Sequence, residues 1–514
     1  MDRPDPKGSA RGAHGSLYGG KVGDSLRGNS SVGRLEFPSG VGQAGSTDCG
    51  ALVRIEVAVE GGVVAEAKYQ AYGCPATLAC AAVAVEKAQG LPILEAARVG
   101  SVGLAASLEL APDKVYTAET SIDALHAALG AAVVAGVSLR EPGTERDPMG
   151  VLVGMSGGVD SAVAALLLRE QGYRVVGVTL SLWTDPHSGG ERSCCSPETV
   201  RRARRVAHSL GIPHLTIDAT DAFSERVVSY FVEEYESGRT PNPCAKCNSR
   251  VRFGLMVEVA DWLGLSWVGT GHYARLLAKD RLLARGVDPV KDQSYVLAEV
   301  DPAVLRRVLF PLGDMTKGAV RQLAADAGLE GHGVPESQEI CFVADDDHRR
   351  FLRERLGERP GLIVDRGGDK LGKHTGTYNY TIGQRKGLNV PSQAPLYVVD
   401  IDAGRSEVIV GSVDQLDVGA VTMGALTWHE SRPVGPVSLQ VRSSGEALAG
   451  LLAEDESTSG LEGTVTVVLD RPIRAVALGQ TAVVYRDERV VCAGTILATR
   501  SESLRAKRGS RGWG

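Results

Sequence analysis

Residues 154 to 161 read Gly-Met-Ser-Gly-Gly-Val-Asp-Ser and form a segment suited to holding phosphate. An apolar run precedes it, and a stretch rich in alanine and leucine follows it, which is the pattern of a strand, a glycine turn and a helix. Glycines let the backbone approach a phosphate closely, and the first turn of a helix offers unpaired N–H groups and a positive dipole end. No lysine follows the glycines, so this is not the common P-loop. The segment predicts another kind of phosphate-binding loop, and the plain alternative is a structural glycine turn.

Three cysteines have a spacing that suits metal, redox or nucleophilic chemistry. Cys244 and Cys247 form a CxxC pair in a proline-containing loop, and Cys341 follows much later in the chain. Two thiols at this spacing can share a metal, form a redox disulfide or hold one reactive thiolate. A zinc site usually needs four ligands, and the sequence has no second CxxC pair to complete one.

Composition limits the class of protein. The chain has 514 residues and a formal net charge of −6, so it is not a globally basic nucleic-acid binder. Any RNA contact would need local clusters of positive charge. The sequence has no apolar run of about eighteen residues, so we expect no transmembrane helix. Nine cysteines without a secretory signal indicate a reducing compartment, so we expect a cytoplasmic protein. The basic clusters are Arg201, Arg202, Arg204 and Arg205, then residues 349–355, then Arg385 and Lys386.

The chain divides into modules that differ in composition and in predicted secondary structure. A polar leader and a polar tail are expected to be disordered. The first folded module is of α+β type, and a charged linker with two prolines follows it. Next, short apolar strands alternate with helices, which predicts an α/β domain around a parallel sheet. The β-rich remainder predicts small β modules that include a β-barrel. The predicted boundaries are 1–45, 46–139, 140–148, 149–355, 356–420, 421–500 and 501–514.

Several long motifs resemble those of the bacterial tRNA-specific 2-thiouridylases. The glycine segment itself resembles the PP-loop of ATP pyrophosphatases, which adenylate a substrate and release pyrophosphate. The resemblance covers about residues 149–497. It implies an enzyme that uses ATP and Mg²⁺ to make 2-thiouridine at the wobble position of the tRNAs for Lys, Glu and Gln. The matching motifs include SGGVDS, GRTPNPCAKCN, GTGHYAR, DQSYVL, FPLGDMTK, SQEICF and NYTIGQRKGL.

This resemblance implies a role for each matching residue. The enzyme adenylates the 2-carbonyl oxygen of the uridine, and sulfur then displaces AMP. Cys247 is the implied nucleophile, Cys341 carries sulfur as a persulfide, and the two can end as a disulfide. Asp160 is expected to help hold Mg²⁺. The implied ATP-binding residues are Gly154, Met155, Ser156, Gly157, Gly158, Val159, Asp160, Ser161, Leu180 and Gly271. The implied tRNA-binding residues are Asn242, Pro243, Cys244, His272, Lys291, Asp292 and Gln293. Gln384, Arg385 and Lys386 are further predicted tRNA-binding residues, because they lie in a glycine-flanked loop suited to phosphate contact.

Cys244 leaves a second sulfur route open. Some members of the family carry aspartate at this position and others cysteine. With Cys244, Cys247 and Cys341 the chain has enough thiolates to hold a 4Fe–4S cluster with one open iron, which can present sulfide to the activated base. The sequence does not decide between this route and the persulfide relay.

The amino-terminal module resembles the iron–sulfur scaffold IscU and the amino-terminal part of NifU. Cys49 and Cys74 match scaffold cysteines, and Cys80 is an additional one. The family's late histidine–cysteine pair is replaced by Tyr116 and Thr117. Two hypotheses follow. The three cysteines bind iron or pass on a cluster, or the module accepts sulfur from, or docks, a cysteine desulfurase or sulfur relay protein.

Two other classes of function compete with tRNA thiolation. One is a PP-loop enzyme that acts on a small molecule, but amide formation has no use for redox thiols. The other is an iron–sulfur carrier with a degenerate ATPase, but the glycine segment is intact. Pyrophosphate release separates the three, since it would be stimulated by tRNA, by a small acid, or by neither.

Overall fold

The structure is a computed structural model. It describes residues 20–27, 30–46, 50–136, 145–183, 196–330, 340–343, 347–433, 435–453 and 463–501. Within these ranges, no helix combines the length and the apolar character that crossing a membrane requires.

The amino-terminal module is an antiparallel sheet, β1–β2–β3, covered by helices. Part of this module lies in the stretch that we expected to be a disordered leader, so that expectation is wrong for α1 and β1. Glycine is the reason: a Cβ at Gly40 or Gly42 would lie 2.2 or 2.1 Å from a carbonyl oxygen of α5, so these glycines let the helix pack directly on the strand. The elements are α1 (Lys21–Leu26), β1 (Gly40–Ser46), β2 (Ala51–Glu60), β3 (Val63–Gly73), α2 (Pro75–Ala88), α3 (Ile93–Ala96), α4 (Ser101–Ser107) and α5 (Val115–Val134).

The central domain is built on a parallel sheet with the strand order β10–β7–β4–β5–β6, as the alternation of strands and helices predicted. The first four helices that follow β6 form two continuous helical runs, 220–236 and 243–262, which contain π-helical turns at Ser224–Val228 and Asn248–Arg252. The elements up to β7 are β4 (Asp147–Gly154), α6 (Val159–Glu170), β5 (Arg174–Ser181), α7 (Pro197–Ser209), β6 (His214–Asp218), α8 (Thr220–Phe223), α9 (Ser229–Glu236), α10 (Pro243–Cys247), α11 (Phe253–Trp262) and β7 (Leu265–Gly269). The remaining elements are β8 (Ala274–Leu277), β9 (Leu282–Arg285), α12 (Ser294–Leu297), α13 (Pro302–Leu305), β10 (Val308–Leu309), α14 (Lys317–Asp326) and α15 (His348–Leu356).

Different helices cover the two faces of this sheet. On one face, α6, α7 and α14 pack against Val151 and Val153. On the other face, α11 and α5 of the amino-terminal module form one continuous core with Leu152 and Val178. Successive residues of a strand point to opposite faces, so neighbours on β4 serve different cores. The amino-terminal module therefore supplies a helix that buries the second face of the central sheet.

Histidines connect the two modules at this interface. The ring of His126 on α5 lies between two backbone carbonyls, with Nδ1 2.9 Å from the oxygen of His214 and Nε2 2.9 Å from that of Val99. The amide of His214 in turn donates to the carbonyl oxygen of Ala97 at 3.3 Å. Burial, assisted by the charge of Arg204, lowers the pKa of His126 well below its usual value, so the ring is neutral and donates to only one of the two carbonyl oxygens. These contacts fix α5 on the sheet edge next to β6.

Gly130 marks a very close approach of α5 to the sheet. A Cβ there would lie 1.9 Å from the carbonyl oxygen of Thr216 in β6. We expect Gly130→Ala to lower the free energy of unfolding by about 1–3 kcal/mol, the usual cost of overpacking. Gly103→Ala is the matched control, because a Cβ at that position on α4 meets nothing within 4 Å. Chemical denaturation measures both variants, and equal stability would contradict this packing.

Two β modules complete the described chain. In the first, the strands pair in the order β12–β11–β14–β13. In the second, the order β15–β18–β17–β16–β19–β20 closes into a barrel because β15 also pairs with β20. The hairpin β8–β9 of the central domain joins the barrel sheet at β20, and β15 begins before the predicted boundary at residue 421. The strands are β11 (Gly361–Asp365), β12 (Lys370–His374), β13 (Tyr397–Asp402), β14 (Glu407–Gly411), β15 (Asp417–Trp428), β16 (Pro436–Gln440), β17 (Leu448–Leu452), β18 (Val465–Arg474), β19 (Thr481–Arg486) and β20 (Arg489–Ser501).

Candidate active site

One cavity of about 410 Å³ brings together most of the residues that the sequence singled out. It lies beyond the carboxyl ends of β4, β5 and β7, where ligands bind in open parallel sheets. The loop between β4 and α6, which the sequence predicts to bind phosphate, forms one side of it, and the cysteines form another. The predicted residues in its lining are Gly154, Met155, Ser156, Asp160, Ser161, Leu180, Pro243, Cys244, Cys247, Gly271, His272, Gln293 and Cys341.

Internal hydrogen bonds shape the loop between β4 and α6. The hydroxyl of Ser161 accepts from the amide of Ser156 at 3.1 Å and donates to the carbonyl oxygen of Gly158 at 3.0 Å. Gly157 has a φ of 71°, in the left-handed region that favours glycine. Its carbonyl oxygen accepts from Nε of Arg202 on α7 at 2.8 Å. The loop is thus held in shape before any phosphate binds.

Asp160, in the first turn of α6, is held by two partners. The ammonium of Lys317 donates to both carboxylate oxygens, at 2.7 and 2.8 Å. The hydroxyl of Tyr273 donates to Oδ1 at 2.7 Å. Gly271 packs on the same turn, since a Cβ there would lie 2.7 Å from the carbonyl carbon of Asp160. The turn therefore presents the carboxylate of Asp160 at the cavity, and the buried Lys317 holds that carboxylate in place.

The CxxC motif occupies α10, a single short helical turn in the cavity wall. Asn242 caps this turn, because its Oδ1 accepts from the amide of Ala245 at 3.1 Å. Cys247 is buried, and both cysteines line the cavity. Burial raises the pKa of Cys244 to about 11; Cys247 raises it further, and the charge of Arg252 opposes the shift. Cys244 is therefore a neutral thiol at physiological pH.

An aromatic cluster holds the segment that carries Cys341. The next residue, Phe342, is buried, with ring centroids 5.6 Å from Phe223, 5.2 Å from Phe231 and 5.4 Å from Phe351. Edge-to-face pairs at these distances add specificity to the burial of apolar area. The cluster places Cys341 in the lining of the same cavity as Cys247.

The three cavity cysteines are not arranged as a ready metal site. Among the residues that the structure describes, no group of three or more His, Cys, Asp or Glu side chains has the geometry to hold a metal ion. Cys74 and Cys80 of the amino-terminal module are covered by this statement, whereas Cys49 lies outside the described residues. The described geometry thus does not bring Cys244, Cys247 and Cys341 together as a ligand set, whereas the predicted set of Cys49, Cys74 and Cys80 lies partly outside the described residues.

His272 and Gln293 line the cavity and are also tied into the fold. Nδ1 of His272 is 2.8 Å from Oγ1 of Thr270. Burial lowers the pKa of His272 to about 3, with a further contribution from Arg252, so the ring is neutral. Oε1 of Gln293 accepts from the amide of Tyr273 at 2.9 Å. Both residues can therefore face a ligand in the cavity, and both also make hydrogen bonds that stabilise the fold around it.

The predicted tRNA residues outside the cavity differ in character. The carboxylate of Asp292 is occupied within its own loop, where it accepts from Arg285 at 2.8 Å and from the amide of Ser294 at 3.0 Å. This favours a positioning role for Asp292 over direct contact with tRNA. Lys291 precedes it and is half-buried. In the first β module, Gln384 is half-buried, and Arg385 and Lys386 are exposed.

The arginine cluster on α7 is not a free RNA surface. Arg201 and Arg204 both donate to Asp123 on α5, and Arg205 pairs with Glu330 at 2.8 Å. Arg201 and Arg204 thus join the amino-terminal module to the central domain. The sequence offered this cluster only as a candidate for RNA contact, and local sequence does not reveal acidic partners that are distant in the chain.

Some residues of the site were missed by the reasoning from sequence. Lys317 belongs to the FPLGDMTK motif, so the resemblance did contain a signal for it. Arg252 and Met256 follow the CxxC pair on the same helical run. Ser443 comes from the barrel and lines the cavity, and no local pattern points to it.

Comparison with known proteins places this geometry in a family. Family models match residues 149–345 as a tRNA methyl transferase HUP domain and 17–132 as a NifU-like N terminal domain. They also match 349–412 as a tRNA methyl transferase PRC-barrel domain and 419–496 as an aminomethyltransferase beta-barrel domain. The bifunctional protein NifU/MnmA of Rubrobacter xylanophilus is 43% identical over 496 residues, which are 94% of this chain and 99% of that protein. This chain belongs to the NifU/MnmA family.

Shorter relatives match about two thirds of this chain. The tRNA-specific 2-thiouridylases MnmA of Carboxydothermus hydrogenoformans and Streptomyces coelicolor are both 44% identical to this chain over the matched residues. The matches cover 97% and 96% of the length of those two proteins. The predicted class, a tRNA-uridine sulfurtransferase preceded by a NifU-like module, is thereby confirmed. The predicted multidomain fold is also confirmed.

Proposed function

We propose that this protein adenylates the 2-oxygen of the wobble uridine in the tRNAs for Lys, Glu and Gln and then replaces that oxygen with sulfur. The observation that carries the proposal is the single cavity in which the phosphate-binding loop meets Cys247 and Cys341. A urea-like carbonyl is a poor electrophile, so its oxygen must first become a good leaving group. One site that holds both ATP and sulfur-bearing thiols meets that need.

In the first half-reaction the uridine oxygen attacks the α-phosphorus of ATP, and pyrophosphate leaves. The first turn of α6 directs N–H groups and a positive dipole end toward the loop, where they favour phosphate. Lys317 forms an ion pair with Asp160 beside the same turn. Preorganised donors of this kind stabilise the charge that develops on the transferred phosphoryl group.

Asp160 is the residue that would hold Mg²⁺. A nucleotide-bound Mg²⁺ needs only one or two protein carboxylates besides the phosphate oxygens, and Asp160 lines the cavity beside the loop. In the structure both of its oxygens accept from Lys317, so the lysine competes with the cation for them. The cation would supply charge neutralisation at the phosphates.

In the second half-reaction a persulfide on Cys341 attacks C2 of the adenylated uridine, and AMP leaves. The thiolate of Cys247 then attacks the Cys341 sulfur, so that the S–S bond to the outer sulfur breaks and 2-thiouridine is released. Cys247 and Cys341 end as a disulfide, which an external thiol must reduce.

The persulfide route is favoured over cluster-bound sulfide by the described geometry, because Cys244, Cys247 and Cys341 do not form a ready ligand set. Anaerobic purification followed by iron and acid-labile sulfide analysis tests the choice. Less than about one tenth of an iron per chain, with full activity from a persulfide donor, is expected. Near-stoichiometric 4Fe–4S that is required for turnover would contradict it.

We propose that the NifU-like module serves sulfur supply, with a cysteine desulfurase or sulfur relay protein as donor. Cys74 is half-buried at the start of α2, and Cys80 is fully buried with its sulfur 3.3 Å from Oγ1 of Thr117. Thr117 stands where the scaffold family has a cysteine, so it gives Cys80 a hydrogen-bond partner instead of a shared metal. This favours a sulfur acceptor over independent cluster assembly.

The two thiols of this module should differ sharply in reactivity. Burial acts to raise the pKa of Cys74, but hydrogen bonds from Thr77 and Ala76 and the charge of Lys114 lower it overall. Burial raises the pKa of Cys80 to about 11. A lower pKa means more thiolate, so iodoacetamide at pH 7.5 should label Cys74 at least about tenfold faster. Mass spectrometry reads both sites, and equal rates would contradict the assignment.

Deletion of the whole module is not a clean test of sulfur supply, because α5 covers the central sheet. Cys74→Ser leaves that interface intact. It should reduce thiolation with a desulfurase as donor while leaving thiolation with a small-molecule persulfide unchanged. Equal losses with both donors would contradict a supply role.

The proposed function as a whole is tested by pyrophosphate release from the purified chain. Unmodified tRNA for Lys, Glu or Gln should stimulate release, and mass spectrometry of the digested tRNA should show 2-thiouridine after a sulfur donor is added. Stimulation by small acids instead of tRNA would contradict the proposal, and so would release that tRNA does not affect.

A further inference from the structure

Lys246 lies between the two cysteines of the CxxC motif, and its side chain is in a buried ion pair. Its ammonium lies 2.6 Å from Oε2 of Glu299, and the two side chains are 5% and 6% exposed. Charges this deeply buried are tolerated only when further hydrogen bonds satisfy them. Two threonines provide such bonds here.

Both threonines belong to the carboxyl-terminal barrel. The ammonium of Lys246 donates to Oγ1 of Thr495 on β20 at 3.1 Å. The hydroxyl of Thr481, the first residue of β19, donates to Oε1 of Glu299 at 2.7 Å. The cysteine turn, the segment after α12 and the barrel therefore meet in one polar cluster.

The cysteine turn has little of its own to fix its orientation. The helix α10 is five residues long and runs directly into the π-helical turn Asn248–Arg252. Helices this short are not stable by themselves. Neighbouring residues of a helix point about 100° apart, as 3.6 residues per turn require. Holding Lys246 toward the barrel thus determines where Cys247 points, which is into the cavity.

We propose that the Lys246–Glu299 pair, completed by Thr481 and Thr495, is a positioning device that directs Cys247 at the activated base. This inference rests on the proposed function. It makes the barrel part of the sulfur-transfer step, although the barrel contributes no reacting group. Adenylation, which takes place at the loop between β4 and α6, does not depend on it.

The test compares Lys246→Met with the double variant Lys246→Met/Glu299→Met. The single variant leaves a buried carboxylate without its cation, so both melting temperature and thiolation should fall. The double variant replaces the pair with apolar side chains of similar size, which restores stability but does not restore the orientation of Cys247. We expect its melting temperature to recover while thiolation stays at least about tenfold below that of the unaltered chain. Its tRNA-dependent pyrophosphate release should stay within about twofold.

Tyr485→Phe is the matched control. It removes the 3.1 Å hydrogen bond between the Tyr485 hydroxyl and Ser294 at the same interface, without touching the cysteine turn. A second readout is the labelling of Cys247 by iodoacetamide, which should speed up at least about threefold in both Lys246 variants and remain unchanged in Tyr485→Phe. Recovery of thiolation together with stability in the double variant would overturn the inference, as would unchanged labelling. Failure of the proposed function would show separately, as absence of tRNA-dependent pyrophosphate release in the unaltered chain.

Discussion

Cys247→Ser should abolish the formation of 2-thiouridine, by at least about a thousandfold, while tRNA-dependent pyrophosphate release continues. Serine cannot break the persulfide bond, so the reaction should stop after adenylation. Cys341→Ser should give the same split for a different reason, since the variant has no sulfur to transfer. Digestion of the tRNA followed by mass spectrometry measures the product, and a pyrophosphate assay measures the first step in the same sample.

Cys492→Ala is the control for loss of a thiol as such. Cys492 is fully buried in the barrel core and outside the cavity. Its variant should retain both activities, with at most a modest loss of stability. Normal thiolation by either Cys247→Ser or Cys341→Ser would show that the roles proposed for these cysteines are wrong.

Asp160→Ala should act at the earlier step, adenylation, and should lower the rate of pyrophosphate release itself by about 10²- to 10³-fold. The substitution removes the carboxylate proposed to hold Mg²⁺ and leaves the ammonium of Lys317 without its partner. Thiolation should fall in parallel, because nothing is adenylated. Titration with Mg²⁺ adds a second readout, since half-maximal activity should move to a higher concentration.

Tyr273→Phe separates the chemistry of Asp160 from its packing. It removes the 2.7 Å hydrogen bond to the carboxylate but keeps the ring and the ion pair. We expect less than about a tenfold loss of pyrophosphate release and an unchanged dependence on Mg²⁺. If Asp160→Ala and Tyr273→Phe were equally impaired, Asp160 would be a structural residue of the helix turn.

The sequence was most informative where chemistry requires fixed residues at short spacing. The segment from Gly154 to Ser161 predicted a loop between strand and helix, and the structure has it between β4 and α6. The CxxC pair and Cys341 were predicted to act together, and they line one cavity. These features are local, or belong to motifs that a resemblance connects.

Pairings between distant parts of the chain were not accessible in the same way. Nothing near Arg204 indicates that Asp123 will be its partner, and nothing near Lys246 indicates that Thr495 will complete its ion pair. The glycines of β1 resemble those of a disordered leader, because composition does not distinguish a flexible glycine from one that admits a neighbouring helix. Such contacts depend on how whole modules pack against each other.

The core that α5 shares with the central sheet has a consequence for how the two modules unfold. An appended carrier domain on a tether would melt independently of the enzyme that it serves. Here the same apolar side chains stabilise both modules, so heating should unfold them together in one calorimetric transition, and a destabilising change in either should lower that single midpoint.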